Sequence, residues 1–241
     1  MADDAPVKLK SDVDVELIDW MGDDVSIVQA ARVSTLGWDN GDPDNGNGKV
    51  AGLINFLMRD RHGTPFEHNS FTFRISAPLF VFYEFHRHRI GWSYNEESAR
   101  YRELEPVFYV PGAERALRQI GKPGAYTFEP GDYKQQALTR GSHLRAARES
   151  WSEYLWMLDH GIAREVARNV LPVSVYKTMY ATCNLRSLFS FLSLRWAHPL
   201  STVPTFPLAE IQMVAEKLDA QARPIFPLAF EAFDKNGRVA P

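Results

Sequence analysis

The stretch Phe85–Tyr101 reads FHRHRIGWSYNEESARY. It sets arginines, histidines and carboxylates among Phe85, Trp92 and Tyr94. A solvated face has no need of those rings, and a core strand does not tolerate Arg87, Arg89, Glu96 and Glu97. The surrounding chain offers no general field for an anion. Its 241 residues carry 27 basic and 30 acidic side chains, a net charge of −3, so nucleic acid and anionic membrane are not expected partners and anion binding must be local. The single cysteine, Cys183, excludes an internal disulfide framework and fits a reducing compartment. The opening MADDAPVKLKSDVDVE has no apolar run of signal-peptide type, and no window approaches the roughly 20 apolar residues of a membrane helix. The expected location is the cytoplasm.

Outward from the motif, strands and helices mix without regular βαβ alternation, which predicts one α+β domain over 1–241. Val13–Trp20 alternates as a strand, and Asp23 or Asp24 can cap a helix through SIVQAARVS. The Gly/Asn/Asp-rich run over 36–48 reads as a mobile surface loop. Val50, Leu53, Ile54, Leu57 and Met58 fall at helical spacing, and Phe71, Phe73 and Ile75 alternate as a half-buried strand. Leu79, Phe82, Tyr83 and His86 are expected on one helical face. EPVFYV is a short strand, KPGAYTFEPGD a turn-rich connection, and Trp151, Tyr154, Leu155 and Leu158 the stripe of a long helix stopping at Gly161. VSVYKTMYATC reads as extended. Asn184 caps the next helix, with Leu185, Leu188, Phe189 and Leu192 inward, and a last helix starts near Pro207.

Arginines recur in apolar or special contexts in three places: Arg87, Arg89, Arg100 and Arg102; Arg164 and Arg168; Arg186 and Arg195. A half-buried guanidinium needs an anionic partner, and its forked donors suit phosphate. Ion pairs with Glu84, Glu96, Glu97, Glu103 and Glu165 are the competing reading for each arginine taken singly. His62, His68, His86 and His88 invite a metal. A cation at His88 would sit between two guanidinium groups, so none is expected. Ser98 with His88 and Glu96 lacks any nucleophile elbow, and phosphate contact suits Ser98 better. No base adjoins Cys183, and no glycine-rich phosphate loop occurs.

RHRIGWSYNEESARY resembles the signature of the flavin-dependent thymidylate synthases, written RHRxxSxNExSxRY. AARVS (30–34), RHGTPFEH (61–68), AREVARNVLP (163–172) and NLRSLFSFLSLR (184–195) resemble further blocks of that family in the same order. The resemblance implies the family's fold, a mixed or antiparallel sheet with packed helices, and a homotetramer with active sites between subunits. It also implies methylation of dUMP with FAD, NADPH and methylenetetrahydrofolate. Ser34, His62, Thr64, Arg87, His88, Arg89, Glu96, Asn184, Arg186 and Ser190 would then hold flavin. Glu84, Arg87, Glu96, Glu97, Ser98, Ala99, Arg100, Arg168 and Arg195 would line the nucleotide, and Arg195 would activate the pyrimidine without a cysteine nucleophile. Four departures stand out: three residues, Ile90–Trp92, where the signature has two; Glu84 for Gln; Ala99 for Gly; and Ser190 for His or Asn. The changes at Glu84 and Ala99 leave UMP open as the substrate, and a non-catalytic flavin or nucleotide binder or an anion-coordinating structural protein stand as further alternatives.

Overall fold

The computed structural model describes residues 6–37, 47–122 and 125–241. They form two compact units built from interleaved segments: one from residues up to Val13, Ser76–Tyr83 and Glu96–Thr178, the other from Asp14–Ile75, Glu84–Asn95 and Met179–Pro241.

The first unit opens with β1 (Lys8–Lys10), which runs parallel to β5 (Val107–Tyr109) in the register Lys8↔Val107 to Lys10↔Tyr109. Residues 125–129 correct an expectation. The connection expected over 122–132 contains a strand, β7 (Ala125–Glu129), antiparallel to β6 (Arg118–Lys122). β6 is exposed along its whole length, so it carries no alternation of apolar and polar residues for a sequence reading to find. The long helix α4 (Tyr133–Asp159) starts at a capping box in which Asp132 and Gln135 satisfy each other's backbone N–H. Its Trp151 and Tyr154 pack with Ala99, Leu104, Phe108, Ala147, Ala167 and Val175 into the unit's core. A single turn, α5 (Arg164–Ala167), leads into a 3₁₀ turn over Arg168–Val170.

In the second unit, β2 (Asp14–Met21) precedes α1 (Asp24–Leu36), whose N-terminus is closed by a capping box between Asp23 and Ser26. α2 spans Asn47–Arg59. The expected loop is therefore shorter than read: Leu36 and Asn47 are helical, and 38–46 lie outside the described residues. β3 (Ser70–Pro78) buries Phe71, Phe73, Ile75 and Ala77 and exposes Arg74, the alternation expected. Together β2, β3, β8 (Tyr176–Cys183) and β4 (Trp92–Glu96) form a four-stranded sheet in the order β2-β3-β8-β4, most of whose residues belong to this unit.

α3 (Leu79–Phe85) is the expected helix with a different face. Val81, Phe82 and Phe85 are buried, whereas Tyr83 is half-exposed and His86 exposed. Seven residues are two turns, too few for periodicity to fix which stripe turns inward. α6 (Leu185–Arg195) buries Leu185, Leu188, Phe189 and Leu192 as expected. Beyond α7 (Ala209–Ala222) an unanticipated helix, α8 (Pro227–Lys235), closes the core. Phe189 stacks on Phe233 at 4.3 Å and meets Phe230 edge-on at 5.0 Å. Each such buried ring stabilises the fold by about 1.5–3 kcal/mol.

Candidate active site

In the second unit the motif answers its own question by separating rings from charges. Phe85 stacks on Phe191 at 4.7 Å, Trp92 lies parallel to Tyr94 at 5.8 Å, and Phe191 also contacts Trp92 and His88. The Tyr94 hydroxyl donates to the carbonyls of Phe85 (3.0 Å) and His88 (2.7 Å), closing the C-terminal end of α3. Phe85, Trp92 and Phe191 are buried and Tyr94 is half-buried, while Arg87 and Arg89 are exposed. Neither makes a side-chain hydrogen bond or ion pair with another described residue.

The three-residue run Ile90–Trp92 turns at Gly91. Its φ of +68° belongs to glycine, and an added Cβ would come 2.1 Å from Ser187 Oγ. The turn is tied to α6 on either side. Ser187 Oγ donates to the Ile90 carbonyl at 3.0 Å, and Trp92 Nε1 donates to the Ser187 carbonyl at 3.3 Å. The motif therefore lies against the N-terminus of α6, where Asn69 accepts from Leu185 N–H (2.7 Å) and the Asn184 cap from Ser187 N–H (2.9 Å). The positive end of that helix adds to the local field.

The result is a cleft of about 690 Å³ lined by Arg87, His88, Arg89, Asn184, Arg186, Ser190 and Arg195, with Glu67 as its one lining carboxylate. That volume is ordinary for a ligand site. Of the four guanidinium groups, Arg186 is paired with Glu67 and Arg195 with Glu84, which leaves Arg87 and Arg89 as a local positive excess in a chain whose net charge is −3. Arg186 donates from Nε to the Pro241 carbonyl (2.8 Å) and from Nη1 to Glu67 (2.5 Å). Its guanidinium lies where a side chain on Gly63 would stand, 2.4 Å from that Cβ position. The next residue, Thr64, lines a separate pocket of about 320 Å³ with Ser34, His62 and His68.

Arg195, the last residue of α6, is held from two sides. Nη1 is ion-paired to Glu84, and Nε donates to His88 Nε2 at 3.0 Å. Burial, reinforced by the neighbouring Arg195 charge, pushes the His88 imidazole down to about 4, so at neutral pH it is an acceptor for Arg195. The carboxylate at Glu84, where the signature's family has Gln, thus has a cation to balance it.

Cys183 is buried at the end of β8, and burial pushes its thiol well above the usual range. Among the described residues no group of three His, Cys, Asp or Glu stands where it could hold a metal ion.

The remaining expected residues lie in the first unit. Glu96, Ala99 and Arg168 line a cavity of about 440 Å³ with Tyr83, Asn169 and Lys177. Ala99 is 2% exposed and contributes its methyl to the core with Leu104 and Tyr154. Glu97, Ser98 and Arg100 are engaged locally. Glu97 accepts from Thr178 N–H at 3.2 Å and pairs with Arg102, the Ser98 hydroxyl accepts from Arg100 N–H, and Arg100 pairs with Glu165 at 3.3 Å.

The competing ion-pair reading therefore holds for Arg100, Arg102 and Arg195. It fails for Arg87, Arg89 and Arg168, which pair with no described residue. Glu67 and Lys177 escaped the sequence reading. Glu67 stands inside the RHGTPFEH block, and Lys177 is the lone charge in an extended apolar run. Either could have been marked by those contexts.

The chain is similar to known proteins over nearly its whole length. The family model described as thymidylate synthase complementing protein matches residues 16–228. A flavin-dependent thymidylate synthase of Streptomyces avermitilis is 55% identical over 245 residues, covering 100% of this chain and 98% of its own. Two crystal structures of a UMP/dUMP methylase, PolB from Streptomyces cacaoi, superimpose closely. The form bound with 5-Br dUMP gives a TM-score of 0.92 at 49% identity, covering 98% of this chain and 100% of that one. The form bound with 5-Br UMP gives 0.89 at 48%, covering 98% and 99%.

Proposed function

We propose, from the premise that this chain belongs to the flavin-dependent thymidylate synthase family, that it methylates C5 of dUMP, with methylenetetrahydrofolate as carbon donor, NADPH as reductant and FAD as cofactor. The observation that carries the reading is the cleft where Arg87 and Arg89 remain as a positive excess beside the paired Arg186 and Arg195. That donor set fits the pyrophosphate of a dinucleotide cofactor: two guanidinium groups without partners among the described residues, the N-terminal end of α6, and the Asn184 and Ser190 side chains. Ser34, His62 and Thr64, which line a second pocket, are assigned to the same ligand. When bound, the flavin supplies hydride transfer.

The chain's own residues bind, orient and polarise. Glu84 and His88 fix the plane of the Arg195 guanidinium, and a preorganised cation beside the pyrimidine stabilises the anion formed when the ring N–H ionises. That charge makes C5 nucleophilic. The methylene carbon bonds to C5 as its bonds to the two folate nitrogens break and tetrahydrofolate leaves, the C5 hydrogen departs as a proton, and a hydride originating from NADPH would complete the methyl group. A thiol adding to the neighbouring ring carbon is the alternative activation, and a buried, protonated Cys183 is unsuited to it. Glu96, Ala99 and Arg168 are assigned to the nucleotide, with Glu97, Ser98 and Arg100 on the same segment. The assembly belonging to this reading is a cytoplasmic homotetramer of single-domain subunits whose sites are completed by neighbours.

Release of tritium from C5-labelled dUMP, with all cosubstrates present, tests the reading. A yellow protein that releases no tritium is a flavin binder only, and a colourless one leaves the arginines as structural anion ligands. A second reading, C5 methylation of UMP, is favoured by the likeness to PolB, described as a UMP/dUMP methylase. A kcat/KM for UMP far below that for dUMP removes it.

His88 gives the site a predictable acid limit. Its folded-state value of about 4 lies below the ordinary 6.5. Between those values the unfolded chain binds a proton that the folded chain refuses, so this contribution to stability is complete above pH 6.5 and is lost as pH falls toward 4. The melting temperature should drop across that window, and His88→Asn should flatten the acid-side slope. Identical slopes in the two proteins would contradict the assignment.

A further inference from the structure

In the second unit, α2 and α8 end in the same backbone turn with different residues at its left-handed position. After α8, Arg238 N–H donates to the Phe233 carbonyl (2.8 Å) and Gly237 N–H to that of Asp234 (3.2 Å), with Gly237 at φ +75°. After α2, His62 N–H donates to the Leu57 carbonyl (2.9 Å) and Arg61 N–H to that of Met58 (3.3 Å), with Arg61 at φ +61°. Glycine is the usual occupant of that position, because a Cβ is crowded there. Among the described residues only Arg61 and Arg238 combine a side chain with a positive φ. Such a conformation persists where surrounding structure holds it.

Both residues lead to the same place. The Arg61 guanidinium donates to the carbonyls of Val239 and Ala240, the latter at 3.3 Å, and Arg238 turns the chain into that contact. Pro241 follows, buried, and its carbonyl accepts from Arg186 Nε at 2.8 Å. Ala240 and Pro241 line the anion cleft beside Arg87, Arg89 and Arg186. Glu67 takes Arg186 Nη1. Arg186 is 44% exposed, so the Glu67 pair alone would leave it free to turn. Two acceptors on different nitrogens fix the guanidinium plane and leave Nη2 to donate to a ligand.

Resting on the flavin reading above, we infer that Arg61 is a positioning residue for the cofactor: it anchors residues 239–241, and the Pro241 carbonyl sets the plane in which Arg186 meets the dinucleotide pyrophosphate. Arg61 acts through Pro241 and Arg186, and takes no part in the bond changes at C5.

Arg61→Gly removes the anchor while giving the turn its favoured residue, so the melting temperature should stay within about 3 °C of wild type. FAD release from the loaded, full-length protein, read as flavin fluorescence on serial dilution, should show binding about tenfold weaker. A chain ended after Val239 lacks the Pro241 carbonyl and should lose at least as much. Adding Arg61→Gly to that chain should change affinity no more than about twofold, because both changes release the same guanidinium. Wild-type affinity in Arg61→Gly overturns the role, as does a further tenfold loss in the combined variant. A tenfold loss with a melting temperature lowered by more than about 3 °C marks Arg61 as merely structural and overturns it too. If the shortened chain fails to fold, Arg61→Gly decides alone. A wild-type protein that holds no FAD overturns the flavin reading itself, which separates that failure from this one.

Discussion

Arg195→Ala should lower kcat for methylation about 100- to 1,000-fold and leave the protein yellow. The size follows from the role. A single preorganised donor aimed at charge that develops in the transition state is worth about 3 kcal/mol in a water-poor site. Arg195 is 19% exposed, and Glu84 and His88 fix its orientation before any substrate arrives. Flavin retention follows from the rest of the cleft, since Arg87, Arg89 and Arg186 remain. Arg195→Lys should recover little, because an ammonium cannot pair with Glu84, reach His88 and face a planar ring with one rigid fork. Tritium release gives kcat and the absorption spectrum gives flavin content. Turnover within tenfold of wild type would exclude Arg195 as the activating group. Loss of the flavin would place it in cofactor binding.

Arg238→Met should cost about 3–5 kcal/mol of stability, the usual penalty for breaking a buried charge pair. Arg238 is 1% exposed with φ at +53°. Its guanidinium donates to Asp234 at 2.5 Å and Asp219 at 3.0 Å, and it lies 4.6 Å from the Trp196 ring centre and 4.8 Å from that of Phe233. Arg223 shares both carboxylates and remains in the variant, which argues for the lower end of the range. At about 2–4 °C per kcal/mol for a chain of this size, melting should fall by at least about 6 °C. The Arg238 carbonyl also accepts from Ser193 Oγ at 2.8 Å, so the same residue braces α6, the helix that presents Arg186 and Arg195. A shift below about 2 °C would show that the network contributes no net stability.

Much of the site was legible because its blocks carry local chemistry. Asn184 announces the start of α6 as a cap, Phe71, Phe73 and Ile75 announce β3 by alternation, and RHRIGWSYNEESARY announces the family by order and spacing. Some local structure was not legible. The exposed β6–β7 hairpin lacks an apolar face to mark it, and α3 is too short for its buried stripe to be assigned. The path through Ile90, Gly91 and Trp92 depends on Ser187, nearly a hundred positions away.

By itself, the sequence determined which groups this protein has for binding an anion: a cluster of arginines in a chain with no general positive field. Tertiary structure decided which of them are available. Glu84 engages Arg195, Glu165 engages Arg100, and Lys177 engages Glu96, while Arg87, Arg89 and Arg168 pair with no described residue. Helical and strand periods are set by neighbours a few residues apart, so they can be read along the chain. Coulomb attraction and desolvation depend on distance and burial in space, which residue order does not specify.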